Sequence, residues 1–271
     1  MFGIRRVPFA GIRFFRALRL LSVLHFDYWR DRNETERKKK YTAEPGEPAG
    51  SCDFGPARVA GQLGMGKGQF ISQMSIRNPA INFIGIDIYD ELLRRASEKA
   101  RAVWRGQGHD EVPNLALVRG NVEYLEQMFA PGELTRIYLN FSDPWPKKKH
   151  AKRRLTHPRY LLKYRDVLNE DGEIHFKTDS LTLFEFSLNS FSDAGLQMRN
   201  ISLDLHRDGP REDLVMTEYE AKFHGQGKPI YRLEAVVGVR AIEENRQRIA
   251  REWDEQFRRG GAKEPPPSSA E

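Results

Sequence analysis

The chain has 271 residues, enough for one substantial α/β domain with extensions or for two small domains. Its 39% hydrophobic and 30% charged residues set it apart from disordered tails, and its one cysteine, Cys52, excludes an internal disulfide or a metal site built on cysteines. The net charge of +6 raises the prospect of a polyanionic partner without identifying one.

Residues 1–56 read as a basic arm and linker. Phe9 to Trp29 is rich in Phe and Leu, but Arg13, Arg16 and Arg19 interrupt it. No apolar run there reaches the ~20 residues of a membrane span, and a secretory signal keeps its charges ahead of its apolar core. The pattern predicts a basic amphipathic helix, packed on the domain or touching RNA or a membrane surface. The stretch from Thr42 to Pro56 is rich in Pro, Gly and Glu, as a linker is.

The compact domain is expected over residues 57–240. Strand-like Arg58 to Leu63 ends in a glycine-rich turn, and a helix follows over Gln69 to Arg77. Asn82 to Ile88 reads as a strand, Asp90 to Trp104 as a helix with Asp90 as candidate N-cap, and Asn114 to Val118 as a strand. A short helix over Val122 to Phe129, a strand over Thr135 to Phe141, a helix over Pro158 to Leu168 and a strand over Glu173 to Thr178 come next. Leu181 to Ala194 is helical, and Gln197 to Leu205 and Pro229 to Val239 are strand-like. Such alternation predicts the α/β class: a mostly parallel, twisted sheet with helices on both faces. Residues 241–271 read as a charged helical tail that ends in a disordered EPPPSSAE.

Three segments carry chemistry. The first is the turn Gly64-Met65-Gly66-Lys67-Gly68 between a strand and a helix, where glycines let the backbone approach a ligand. Gly61 to Lys67 fits GxxxxGK, but Gly68 stands where a P-loop needs Ser or Thr for magnesium, and the third glycine of GxGxxG is missing. Asp87, at the end of the next strand, suits two ribose hydroxyls, or is simply a helix-start acid. Asn121, after the third strand, is placed to meet an adenine edge.

The second segment, Asn140-Phe141-Ser142-Asp143-Pro144-Trp145-Pro146, follows a strand and so lies at the ligand-binding edge of such sheets. Its prolines fix where Asp143 points, and Trp145 offers a stacking surface. The third is the run from Lys147 to Arg154, either a solvated face or a phosphate clamp.

The stretches LGMGKGQF, INFIGIDIYD, YLNFSDPWPKKKHAKRRL, GEIHFKTD, FEFSLNSF and MTEYEAKFHGQGKPIYRLE, in order from Leu63 to Glu234, resemble the bacterial tRNA (guanine-N7-)-methyltransferase family. The resemblance implies a Rossmann-like methyltransferase sheet, S-adenosylmethionine as methyl donor and tRNA as partner. By motif position it implies cofactor contacts from Gln62, Gly64, Gly66, Asp87, Asn121 and Asp143, with Asp143 also catalytic. It assigns guanine or substrate contacts to Lys147, Asp179, Thr217, Glu218, Tyr219 and Glu220, and RNA contacts to Lys149, His150, Ala151, Lys152, Arg153 and Arg154. It implies a cytoplasmic enzyme without metal or membrane span, a monomer or weak homodimer.

The chain departs from the family pattern where Gln62 replaces the usual Glu and Asn121 an often-found Asp; both changes remove negative charge near a cationic donor. Gly61 and Gly120 are also unusual, and are expected to loosen local packing. Without the resemblance, a helix cap is the lesser alternative for Asp179, and Thr217 with Glu220 has capping-box spacing. The alternatives to a tRNA guanine-N7 methyltransferase are a tRNA-binding, methyltransferase-like protein with weak or no activity, and a methyltransferase for another RNA guanine.

Overall fold

A computed structural model describes residues 58–260. The amphipathic arm helix, Cys52 and the EPPPSSAE tail expected from the sequence lie outside the described residues. Seven strands form one sheet in the order β3-β2-β1-β4-β5-β7-β6. In chain order they are β1 (Arg58–Leu63), β2 (Ile81–Asp87), β3 (Leu115–Arg119), β4 (Leu134–Asn140), β5 (Leu168–Thr178), β6 (Gln197–Ser202) and β7 (Tyr231–Val236). The first five pair in parallel, while β7 runs antiparallel to both β5 and β6.

The helices are α1 (Gln69–Arg77), α2 (Asp90–Arg105), α3 (Leu125–Met128), α4 (Pro158–Val167), α5 (Leu181–Asp193), α6 (Glu218–Gly225) and α7 (Val239–Gly260). They cover both faces of the sheet, because its central strands carry apolar residues on both sides. On one face Ile84, Ile86, Ile137, Leu139, Ile174 and Phe176 pack with Leu161, Tyr164, Leu183 and Phe184 of α4 and α5. On the other, Ala60, Phe83, Leu115 and Tyr138 pack with Phe70, Ile71 and Ala100 of α1 and α2.

The chain winds from β1 towards β3, then returns to β4 and winds the other way. The ends of β1 and β4 therefore flank a switch point, the place in such sheets where a crevice opens for ligand. Both chemistry-bearing loops leave from here: the glycine turn after β1 and the NFSDPWP loop after β4.

Local differences from expectation have identifiable causes. Tyr89, not Asp90, is the N-cap of α2; Asp90 lies inside the first turn and pairs with Arg119 at 3.2 Å. Asn114 precedes β3, its Nδ2 donating to the carbonyls of Ser75, Asn78 and Ile81. Strand β5 starts five residues early, at Leu168 paired with Leu134, and a register irregularity precedes the regular ladder from Glu173. Gly120 does not loosen its surroundings: a Cβ there would lie 2.7 Å from Met128 Sδ, so the sulfur fills the space a side chain would need. At Gly61 a Cβ would make only ordinary contact, 3.6 Å from Leu134. Helix α7 starts at Val239, with Ala241 and Asn245 buried and Arg240 bonded to Asp171, so a boundary after residue 240 cuts through it.

Candidate active site

The glycine turn is held by the strand beside it. The N–H groups of Gly64 and Met65 both donate to the carbonyl of Ile86, at 2.9 and 3.0 Å. Gly64, Gly66 and Gly68 all have positive φ, and a Cβ on Gly68 would lie 2.4 Å from Ala96 Cβ on α2. This position admits only glycine, for conformation and for space alike. Asp87, buried at the end of β2, accepts from Gly66 N at 3.0 Å and Tyr89 N at 3.2 Å, one bond per carboxylate oxygen. A carboxylate has about four lone-pair sites, so Asp87 both shapes the turn and keeps acceptors for two hydroxyls.

Asn121 is exposed, and its Oδ1 accepts from Glu123 N at 2.9 Å, capping the 3-10 turn Val122–Tyr124. The cap uses the oxygen and leaves the Nδ2 donors for a ring nitrogen. Gln62 is 3% exposed, and its Oε1 is buried without a hydrogen-bond partner. An unsatisfied buried acceptor costs about 1–3 kcal/mol, so a ligand donor arriving there would recover that cost. Asn140 Nδ2 and Ser142 Oγ, at the end of β4 and in the loop that follows, are likewise buried and unpartnered. Three orphaned polar atoms around the switch point, beside a glycine cradle and a buried acid, fit a polar nucleoside cofactor.

The NFSDPWP loop is strained. Phe141 and Trp145 have φ of 52° and 41°, a region non-glycine residues enter at a cost of roughly 1–3 kcal/mol each. Its anchors explain why it persists. Phe141 N donates to the carbonyl of Lys177 at 2.9 Å. Arg154 donates from Nε to the Pro144 carbonyl and from Nη2 to the Trp145 carbonyl, each at 3.0 Å, while its guanidinium covers the Phe186 ring at 4.4 Å. Arg154 is therefore buried beneath the loop, with two of its five N–H donors on the two carbonyls. Asp143 stands exposed between these anchors.

Lys148–Arg153 forms a 3-10 helix with Lys147 as its N-cap residue. Lys147, Lys148, Lys149, Lys152 and Arg153 are exposed, and His150 and Ala151 half-buried. Arg153 lies 4.8 Å over the Trp145 ring, and His150 meets the same ring edge-on at 5.7 Å. A second arginine ties this segment to the cofactor side. Arg159 donates to the Lys152 carbonyl at 2.7 Å and forks onto Glu123 at 2.8 and 2.7 Å.

The third wall comes from the end of β5 and the start of α6. Asp179 is half-buried, and the cap of α5 is Ser180, whose Oγ accepts from Leu183 N; Asp179 is left for another role. Thr217 and Glu220 do form a capping box, Thr217 Oγ1 accepting from Glu220 N at 2.9 Å and Glu220 Oε2 from Thr217 N at 3.1 Å. Glu220 is fully buried; Oε2 also takes Lys177 Nζ at 2.5 Å, and Oε1 lies 2.9 Å from His206 Nε2. The Glu220 side chain thus serves both the cap and the ion pair, while the Thr217 hydroxyl caps the helix. Glu218 pairs with Lys99 and, at 3.9 Å, with Lys67 of the glycine turn. Tyr219 is exposed and stacks on Phe141 at 6.4 Å.

Lys177, His206 and Arg159 escaped the sequence reading. Lys177 carried a signal: Glu173, His175 and Lys177 alternate along β5 and face Arg136, Tyr138 and Asn140 of β4, a polar stripe at strand spacing. Among the described residues no group of three or more His, Cys, Asp or Glu could hold a metal ion, and no helix is long and apolar enough to cross a membrane.

Comparison with known proteins bears directly on this geometry. Residues 57–233 match the family described as "Putative methyltransferase". The tRNA (guanine-N(7)-)-methyltransferase of Bacillus licheniformis is 46% identical over 212 residues, 76% of this chain and 95% of the relative. Those of Bacillus subtilis and Listeria monocytogenes are 49% and 51% identical, each over 64% of this chain and 78% of the relative. Among solved structures, the 16S rRNA methyltransferase KamB overlaps 67% of this chain and 88% of its own, with a TM-score of 0.49 and 11% identity. The chain belongs to the tRNA (guanine-N(7)-)-methyltransferase family.

Proposed function

We propose that the chain transfers a methyl group from S-adenosylmethionine to N7 of a guanine in tRNA. One observation carries the reading: at the switch point, an Asp87-held glycine turn stands beside a strained loop that presents Asp143 and Trp145, with an exposed basic helix directly behind it. The 46–51% identity to relatives that carry this activity in their names supports it.

S-adenosylmethionine, when bound, supplies an electrophilic methyl group on a sulfonium sulfur. Asp87 would take its ribose hydroxyls, Asn121 its adenine edge, and Gln62 and Asn140 its polar tail, each through an atom identified above. Guanine N7 has a lone pair and no proton, so the chain needs no general base there. Alignment of the two reactants and stabilisation of the developing positive ring are the tasks that remain. Asp143 and Asp179 would be the carboxylates for the second task. Lys147, Lys149, Lys152 and Arg153 would hold phosphates while Trp145 stacks on a base. The protein would work in the cytoplasm, as a monomer or weak homodimer.

A single-turnover assay with labelled donor and unmodified tRNA tests the proposal: label should appear in the tRNA, and its absence at saturating concentrations would refute transfer. Gln62, neutral and buried, motivates a second reading, a tRNA-binding protein that takes the donor poorly. Calorimetric titration with S-adenosylmethionine separates the two, since the second requires weak or no heat of binding.

A further inference from the structure

Lys177 lies where three parts of the site meet. Its carbonyl accepts from Phe141 N, the first residue of the strained loop. Its ammonium donates to Glu220 Oε2 at 2.5 Å and to the Val215 carbonyl at 3.2 Å, fixing both α6 and the segment that leads into it. Beneath the ammonium, 5.6 Å away, lies the Phe70 ring of α1, the helix that the glycine turn opens. Lys177 is 6% exposed and Glu220 0%, so neither is available to solvent, and each is the other's counter-charge.

His206 completes the arrangement. Its Nδ1 accepts from Arg211 N at 3.4 Å, and its Nε2 lies 2.9 Å from Glu220 Oε1. Two residues beyond Lys177 comes Asp179; three residues before Glu220 comes Thr217, and next to Glu220 is Tyr219, stacked on Phe141.

We propose that Lys177 is a positioning residue for methyl transfer: its bonds to Phe141, Val215 and Glu220 set the distance between the guanine wall, at Asp179 and α6, and the loop that carries Asp143. The inference rests on the methyltransferase reading. Its physical basis is that alignment dominates a reaction without proton abstraction, and a displacement of ~1 Å in a positioned group can cost about 100-fold in rate. The buried ion pair gives α6 one seat instead of several, because any other seat strands a charge.

The test uses the full chain and three variants: Lys177→Met, Lys177→Arg and the double variant Lys177→Met/Glu220→Gln. For each, the single-turnover transfer rate at saturating tRNA and donor, the Kd of each substrate, and Tm are measured. The Lys177→Met variant should lose about tenfold or more in rate, while both Kd values stay within about threefold. Lys177→Arg should recover part of the rate, since a guanidinium can still reach the carboxylate. The double variant removes the stranded charge, so its Tm should recover while its rate stays low; if Lys177→Met fails to fold, this variant carries the test. A merely structural lysine would show rate and Tm recovering together, and that result overturns the proposal. A folded Lys177→Met variant at the wild-type rate, or a loss confined to Kd, overturns it equally. If the wild-type chain itself transfers nothing, the methyltransferase reading falls and this proposal with it, an outcome distinct from slow transfer in the variants alone.

Discussion

Gln62, one residue before the end of β1, has its Oε1 buried and unpartnered. A charge-assisted hydrogen bond exceeds a neutral one by roughly 1 kcal/mol, so Gln62→Glu should tighten donor binding about fivefold. The same change buries an unpaired carboxylate in the free protein, so Tm without donor should fall and addition of donor should restore it. Calorimetry and thermal melts read both, and unchanged affinity would remove Gln62 from the donor site. Asp143 differs in being exposed, at the crest of a loop whose φ values of 52° and 41° are held by Lys177 and Arg154. Asp143→Ala should abolish transfer and leave tRNA affinity within about threefold, because one carboxylate removed from a basic surface changes little of the phosphate binding.

Among the elements, the 3-10 helix Lys148–Arg153 separates two arginines that look alike in sequence. Arg153 is exposed over Trp145, whereas Arg154 is buried under the loop. Replacing Lys149, Lys152 and Arg153 with alanine should lower the log K against log salt slope by about 2–3, since each phosphate no longer neutralised removes roughly 0.7–0.9 from it. Arg154→Ala should leave that slope unchanged while slowing transfer, and a reduced slope would restore Arg154 to the RNA surface. Helix α6 permits a similar separation: Thr217→Ala removes its cap, at about 1 kcal/mol. The placement of most helices and strands was legible, because NFIGIDI and TRIYLNF are apolar runs at strand length and the turn chemistry between elements is explicit. Residue roles within the motifs were less so. Nothing in KKKHAKRRL marks its last arginine as the buried one, and nothing in TEYE tells that its final carboxylate meets Lys177, 43 positions earlier. Burial and long-range pairing are tertiary facts, and local spacing carries them only where a stripe such as Glu173, His175 and Lys177 repeats.

At the scale of the molecule, the sheet carries a buried charge network alongside its apolar cores. Glu173 bonds Arg136 and His175 at 2.9 Å and Arg199 at 2.5 Å, and Glu234 takes Arg199, Asn200 and Arg232. Burial pushes the Glu173 carboxyl up, but the His175 bond and the two guanidinium groups outweigh it and hold the group at about 2. A carboxyl depressed in the folded state stabilises it above the unfolded value of 4.5, and that contribution fades as pH falls towards 2. Wild-type stability should therefore drop over this window by roughly 2 kcal/mol more than that of Glu173→Gln, read from denaturant melts at each pH. Parallel slopes would contradict the network's role. This network ties β4, β5, β6 and β7 together behind the switch point, and the ends of β1 and β4 hold the two loops between which transfer is proposed. The most direct measurement is therefore the position of the methyl group. Unmodified tRNA incubated with the chain and labelled S-adenosylmethionine, then cleaved chemically at N7-methylguanine, should give one labelled site for the wild type and none for Asp143→Ala; label on another atom, or equal labelling by both proteins, would contradict the account.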